Sequence, residues 1–93
     1  MSLGIQSSFR STRVATTADT TVSGCNIFTA RLVCAATAAT LKIYNGSTAA
    51  ANEVARLSAA ANSIDETGVP IRCDGTLKVQ LSKITALGFI YVR

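Results

Sequence analysis

Apolar and polar residues alternate along most of the chain, and this period-2 pattern predicts β-strands. It is clearest in residues 40–57, where alternation over 41–44 runs into Asn45-Gly46 and resumes over 53–57. Asn-Gly is a strong two-residue turn signal because both residues tolerate positive φ. We therefore predict a hairpin of two strands here.

Residues 21–35 form the longest strand-like stretch. Gly24 near its start is expected to mark a β-bulge. The more apolar set of alternate positions is expected to face the core, with Phe28 and Leu32 as its main residues. That set is Asn26, Phe28, Ala30, Leu32 and Cys34, and the opposite set is Cys25, Ile27, Thr29, Arg31 and Val33.

The remaining predicted strands follow the hairpin and cover 63–69, 69–73, 76–82 and 88–93. The first is a short edge strand, and Asp74-Gly75 is read as a second hairpin turn between the next two. Its flanking strands are expected to point Ile71, Cys73, Leu77, Val79 and Leu81 inward. The last strand is apolar on both faces, with Phe89 expected to be buried, so it is predicted to be central or to cover an interface.

About seven or eight short strands with regular turn signals and no convincing helix indicate an all-β fold. We predict a small antiparallel β-sandwich or a jelly-roll-like barrel, formed by residues 21–93 as a single domain. The chain has 93 residues and is 48% hydrophobic, but 15 of its residues are Ala. Its core is therefore expected to be modest, which favours oligomerisation as additional support.

Residues 1–20 differ from the rest because they are rich in Ser and Thr. One interpretation is a frayed terminus. The other, which we adopt, is an extended N-terminal arm that docks on a neighbouring subunit, with residues 10–17 becoming a strand in the assembled state. The candidate partner-binding residues of this arm are Leu3, Ile5, Phe9, Arg10 and Arg13.

The composition argues against an enzyme. The chain has no His, so the usual acid–base triads are excluded, and phosphate-loop and dinucleotide-binding motifs are not found. Its few acids lack calcium-loop spacing. We therefore expect no catalytic residues, no metal, no cofactor and no small-molecule substrate.

The charge distribution and the hydropathy of the chain argue against nucleic-acid and membrane partners. Nine Lys and Arg exceed five Asp and Glu, but the basic residues are scattered among few aromatics, so no nucleic-acid partner is expected. No window is long enough for a membrane span, and the first residues do not form a signal peptide. We expect a protein that is made and assembled in a reducing cytoplasm and does not contact membranes.

The three cysteines, Cys25, Cys34 and Cys73, are odd in number and lack the spacing of a zinc site or a disulfide framework. Buried free thiols in a reducing compartment are the expected state. The sequence does not decide whether Cys25 and Cys34 form a disulfide.

Residues 22–93 resemble small virion proteins of tailed phages, of the capsid cement (decoration) type. The resemblance rests on an apolar strand ending in Tyr44-Asn45-Gly46, a Ser/Thr-Ala-Ala insert, an Ala-rich loop and a Pro-apolar-Arg-Cys-Asp-Gly return. These pieces lie at 43–46, 47–51, 59–61 and 70–77, with a strand at 54–57 between the insert and the loop. The N-terminal arm is not covered.

The resemblance implies a compact β-sandwich on the capsid surface that binds the major capsid protein as a homo-oligomer, often a trimer. It implies no catalytic residue. A host- or glycan-recognition module on a phage head or tail fibre is the alternative function. Clustered exposed aromatic side chains would favour it, with Tyr44 and Tyr91 as candidates for stacking on sugars, but the chain has only five aromatic residues. An ordinary intracellular interaction domain is a third possibility.

Overall fold

The computed structural model of the protein describes residues 9–46 and 52–93. The described residues form strands and no helix, which confirms the all-β prediction. The seven strands are β1 Arg10–Val14, β2 Thr20–Cys34, β3 Ala39–Asn45, β4 Asn52–Ala59, β5 Ile64–Glu66, β6 Ile71–Leu81 and β7 Ala86–Val92.

The strands form one antiparallel sheet in the order β1-β7-β2-β6-β3-β4, with β5 paired to β2. The 15-residue strand β2 is shared between two parts of this sheet. Its first half pairs with β6, and its second half pairs with β7 on one edge and β5 on the other. The first layer is therefore β1-β7-β2-β5 and the second is β2-β6-β3-β4, as expected for a small β-sandwich.

One core lies between the layers, and both contribute to it. The predicted core residues Phe28 and Leu32 are fully buried. The layers are closely packed at Gly88 of β7, where an added Cβ would lie 3.0 Å from Leu41 Cδ1 of β3. The largest fully buried side chains are Phe28, Leu32, Leu41, Ile43, Leu77 and Ile90, each worth about 1.5–3 kcal/mol of burial.

The predicted bulge at Gly24 is present and changes which residues of β2 face inward. Gly24 has φ +70°, and the register with β6 shifts on both sides of Cys25. A bulge turns the next side chain to the opposite face. The prediction for residues 25 and 26 is therefore wrong: Cys25 is fully buried and Asn26 is exposed.

Asp74-Gly75 is not a hairpin turn, contrary to the prediction. A single 11-residue strand, β6, runs through it, and Gly75 (φ +98°) lies opposite the Cys25 irregularity of β2. The Asp74 side chain instead accepts a hydrogen bond from Asn45 Nδ2 (3.1 Å), while Asn45 Oδ1 accepts one from the Asp74 backbone N–H (2.9 Å). The two predicted turn signals are thus bonded to each other.

The inward positions of β6 are largely as predicted. Leu77, Val79 and Leu81 are buried, and Cys73 is 7% exposed. Ile71 is only partly buried at the edge of the core.

Cys25 and Cys73 form a disulfide between β2 and β6, with 6.0 Å between their Cα atoms. The prediction of free thiols is therefore wrong for these two residues and confirmed for Cys34, which is buried and unpaired. The bulge supplies the physical reason, because it directs Cys25 inward towards Cys73, a placement that sequence spacing does not encode.

The second half of the predicted arm belongs to the sheet of the same chain. Arg10–Val14 forms β1, paired with β7 from Arg10↔Val92 to Val14↔Gly88, and Val14 is 1% exposed. Leu3 and Ile5 lie outside the described residues.

Candidate binding surface

The outer face of the first layer carries a continuous set of apolar side chains, which we call the apolar face. Residues of neighbouring strands that lie directly opposite each other point to the same side of a sheet. Val33 lies beside both Leu87 and Ile64, and Thr29 lies beside Tyr91. The apolar members are Val33, Ile64, Leu87, Phe89 and Tyr91.

These side chains are only partly covered. Ile64 is 55% exposed, and Phe89 and Tyr91 are half-buried, so the prediction that Phe89 is buried is wrong. The prediction that β7 is central is confirmed, since it lies between β1 and β2. Its inward side chains Ile90 and Val92 fill the core, which leaves its second apolar side facing outward.

Charged residues cross the apolar face in one row. This row consists of Arg13 of β1, Phe89 of β7, Arg31 of β2 and Glu66 of β5. Arg31 Nε donates to Glu66 Oε2 at 2.9 Å, and both side chains are about half exposed. Arg13 is exposed and has no ion-pair partner within residues 9–46 and 52–93.

The outer face of the second layer, which we call the polar face, has a different character. Lys42 lies between Arg56 and Gln80, and Lys78 lies between Tyr44 and Thr21. Its side chains bind one another. The bonds are Tyr44 Oη to Gln80 Oε1 (3.3 Å), Gln80 Nε2 to Asp19 Oδ1 (3.0 Å), Lys78 Nζ to Asp19 Oδ2 (3.0 Å) and Arg56 Nη2 to Glu53 Oε1 (2.9 Å).

The pKa values of the polar face follow from these bonds. Hydrogen bonds from Lys78 and Gln80 lower the pKa of Asp19. The hydrogen bond from Arg56 lowers the pKa of Glu53, and the same contact raises the pKa of Arg56. The charged forms of Asp19, Glu53 and Arg56 are thus stabilised by partners within the chain.

The free edge of β1 is a second feature of the first layer. In the described part of the sheet, β1 pairs with β7 alone, so its other edge carries unpaired backbone groups. Arg10 Nη2 donates to the backbone oxygens of Ser23 (3.1 Å) and Gly24 (2.8 Å). The Arg93 guanidinium lies 5.9 Å from the centre of the Phe9 ring.

Three of the predicted partner-binding residues, Phe9, Arg10 and Arg13, therefore have different surroundings and do not form one site. Arg10 is directed to the β2 bulge, Arg13 lies in the charged row, and Phe9 lies beside Arg93. The sequence places Val33 among the residues of β2 that face away from the core, but it does not show that Val33 shares a face with Ile64, Leu87 and Glu66. The sequence feature that indicates this surface is the last strand, because its residues are apolar on both sides.

A depression of about 230 Å³ lies beside Tyr91 on the apolar face. It is lined by Thr29, Ala30, Arg31, Glu66, Thr67, Gly68 and Tyr91. Among the described residues, no three His, Cys, Asp or Glu side chains are grouped as metal ligands. None of the described segments is a helix long and apolar enough to cross a membrane.

Comparisons with known proteins do not identify a family. No protein-family model matches the sequence, and no curated protein sequence is significantly similar to it. A solved structure from the Bacillus endospore appendages, described as a novel family of disulfide-linked pili, is similar over 90% of this chain and 88% of its own. With 12% identity and a TM-score of 0.46, this likeness establishes no shared function.

Proposed function

We propose that this protein is a structural virion component of a tailed phage, a capsid cement protein that binds the major capsid protein shell as a homo-oligomer. The proposal comes from the sequence resemblance over residues 22–93. The observation that supports it most is the apolar face, since contiguous exposed apolar surface is typical of interaction sites. The protein would act at the capsid surface, with the N-terminal segment and the free edge of β1 contacting the shell.

The edge of β1 supports shell attachment because the apolar-polar sequence of residues 1–9 leads directly into it. Residues 1–9 place Met1, Leu3, Ile5 and Phe9 at alternate positions with polar residues or Gly between them. An extended segment of this pattern has one apolar side and a backbone that can pair with a neighbouring strand. Leu3, Ile5 and Phe9 would supply the apolar contacts.

The Cys25–Cys73 disulfide also fits this proposal. Disulfides persist in oxidising surroundings, including the surfaces of virions, and are rare in proteins that stay in the cytosol. The bridge would form after the particle leaves the reducing host cytoplasm.

The test is co-sedimentation with expanded capsids of the phage that encodes the protein. A variant lacking residues 1–8 keeps β1 intact, so we expect it to remain folded and to pellet with shells far less than the full chain. The matched control is Lys42→Ser on the polar face, which should pellet normally. If the full chain does not pellet, the proposed function is wrong. If the truncated chain pellets equally well, the proposed role of the N-terminal segment is wrong.

Glycan recognition is the second candidate, favoured by the depression beside Tyr91. An aromatic ring next to Thr29, Arg31 and Glu66 combines a stacking surface with hydrogen-bonding groups. Reproducible glycan-array binding that Tyr91→Ala abolishes and Tyr44→Ala leaves intact would favour this function over shell binding.

A further inference from the structure

We propose that the apolar face is a self-association surface on which a second copy of the chain packs face to face about a two-fold axis. This pairing goes beyond capsid attachment and does not depend on it. It is carried by the order of charges across the four strands of the first layer.

The charged row has opposite signs at its two ends. Arg13 lies at the β1 end and Glu66 at the β5 end, with Phe89 and Arg31 between them. A two-fold axis that runs parallel to the strands between β7 and β2 lays the β1 end of one copy over the β5 end of the other. Arg13 then faces Glu66 of the second copy, twice per dimer, and Arg31 faces the second copy's Phe89.

Each of these contacts is chemically favourable. Arg13 gains a carboxylate, and Glu66 keeps its bond to Arg31 because a carboxylate accepts several hydrogen bonds. Arg31 gains an aromatic ring for a cation–π contact. In the neighbouring rows, Leu87 faces Val33 and Tyr91 faces Thr29, so the apolar side chains leave water together.

A two-fold axis that lies along the charged row is disfavoured by charge. An axis along the row itself would place Arg13 over Arg13, Arg31 over Arg31 and Glu66 over Glu66, and such like-charge contacts are strongly unfavourable. Packed sheets cross at about 30°, which displaces the ends of a four-strand row by only about 4 Å. The long Arg13 side chain can accommodate this shift.

The polar face does not offer an equivalent surface. Asp19 and Glu53 are already bound to Lys78 and Arg56 of the same chain. Packing a second copy there would remove these charges from water without supplying new partners. The pairing is therefore expected at the apolar face.

The experiment is a charge exchange followed by sedimentation velocity of the full chain. We expect the unmodified protein to be dimeric, Arg13→Glu and Glu66→Arg each to weaken dimerisation by about tenfold or more, and the double exchange to restore it to within about threefold. The matched control exchanges Glu53→Arg with Arg56→Glu on the polar face and should leave dimerisation unchanged.

Circular dichroism of each variant separates loss of pairing from loss of folding, since all four positions are at the surface. A monomeric unmodified protein, a trimer that is indifferent to both exchanges, or a double exchange that restores nothing would overturn the pairing.

The same variants are then tested with expanded capsids. If the unmodified chain is dimeric but does not pellet with shells, the proposed function is wrong and the pairing stands. If the dimer-deficient variants pellet as the unmodified chain does, shell binding does not require the pairing. If the exchanges change pelleting while the unmodified protein is monomeric, the face binds the shell and the pairing is wrong.

Discussion

The two outer faces of the molecule are each formed by every second residue of antiparallel strands, yet they carry different side chains. On the polar face, Asp19 binds Lys78 and Gln80, and Glu53 binds Arg56, so both of these carboxylates are paired within one chain. On the apolar face, Phe89 and Tyr91 are half-buried without a covering layer, and Arg13 lacks an ion-pair partner among the described residues. A face whose carboxylates are paired within the chain is suited to contact with water. A face with exposed apolar side chains and an unpaired charge is suited to contact with a partner.

The difference has a simple origin in β7. Its inward residues Ile90 and Val92 belong to the core, and its outward residues Leu87, Phe89 and Tyr91 are also apolar. Strand β6 at the corresponding position of the second layer alternates buried Leu77 and Val79 with polar Lys78 and Gln80.

The largest effect on stability is expected from the disulfide, which supports both faces through their common strand β2. Replacing Cys25 and Cys73 together by Ala should lower the free energy of unfolding by about 2–5 kcal/mol, because the bridge closes a long loop of the unfolded chain. Urea unfolding measures this. Cys34→Ala is the control, because it keeps the disulfide. Reductant should lower its free energy of unfolding by about as much as it lowers that of the unmodified protein.

If reductant does not change the unfolding midpoint of the unmodified protein, the bridge does not contribute as described. If the double variant stays folded, its association through the apolar face should be unchanged, since neither cysteine reaches that face.

A smaller loss of stability is expected from Gly88→Val. The new side chain would meet Leu41 and Val14 between the layers, where a Cβ alone comes within 3.0 Å of Leu41. Overpacking of this kind costs about 1–3 kcal/mol. Thermal unfolding followed by circular dichroism measures it, and an unchanged melting temperature would show that the layers are less closely packed than the structure indicates.

The two tyrosines provide a matched pair for association, one on each face. Tyr91→Ser should weaken self-association by about tenfold, because a half-exposed aromatic at a contact is a common hot spot. Tyr44→Ser should leave association unchanged and remove one hydrogen bond, to Gln80, at a cost to stability of about 0.5–1.5 kcal/mol. Equal effects of both substitutions on association would remove the distinction between the faces.

The smallest effect is expected from acidification of the polar face. The pKa values of Asp19 and Glu53 are lowered in the folded protein. Their contribution to stability is therefore present above the unfolded-state pKa, near pH 4, and is lost as the pH falls through the lower folded-state value. Because both groups are exposed, the loss should be slight.

Unfolding of dilute protein at pH 7 and pH 3 measures this contribution. The Asp19→Asn, Glu53→Gln double variant should lose less stability than the unmodified chain over the same interval. An equal or larger loss in the variant would contradict the proposed role of these pairs.

The strands could be predicted well from the sequence because their side-chain pattern is local. The β3–β4 hairpin and the inward residues of β6 follow directly from alternation. The continuity of β6 through Asp74-Gly75 could not be predicted, because that dipeptide is a local turn signal until Asn45 of another strand binds it. The disulfide was missed for a similar reason, since it depends on a bulge in β2 that faces an irregularity in β6.

The candidate surface could be predicted only in part. The two apolar sides of β7 are visible in the sequence, and they indicated a central strand or an interface. That Arg13, Arg31 and Glu66 share one row is a consequence of strand order and register. Non-local pairing of this kind is not contained in any single segment of sequence.

The most direct test of the difference between the faces is oxidative footprinting of the two tyrosines by mass spectrometry over a range of protein concentrations. Tyr91 lies on the apolar face and Tyr44 on the polar face, so each reports on one surface. We predict that oxidation of Tyr91 falls as the protein associates, while that of Tyr44 stays constant. Association accompanied by protection of Tyr44 and unchanged oxidation of Tyr91 would contradict the assignment of the apolar face as the binding surface.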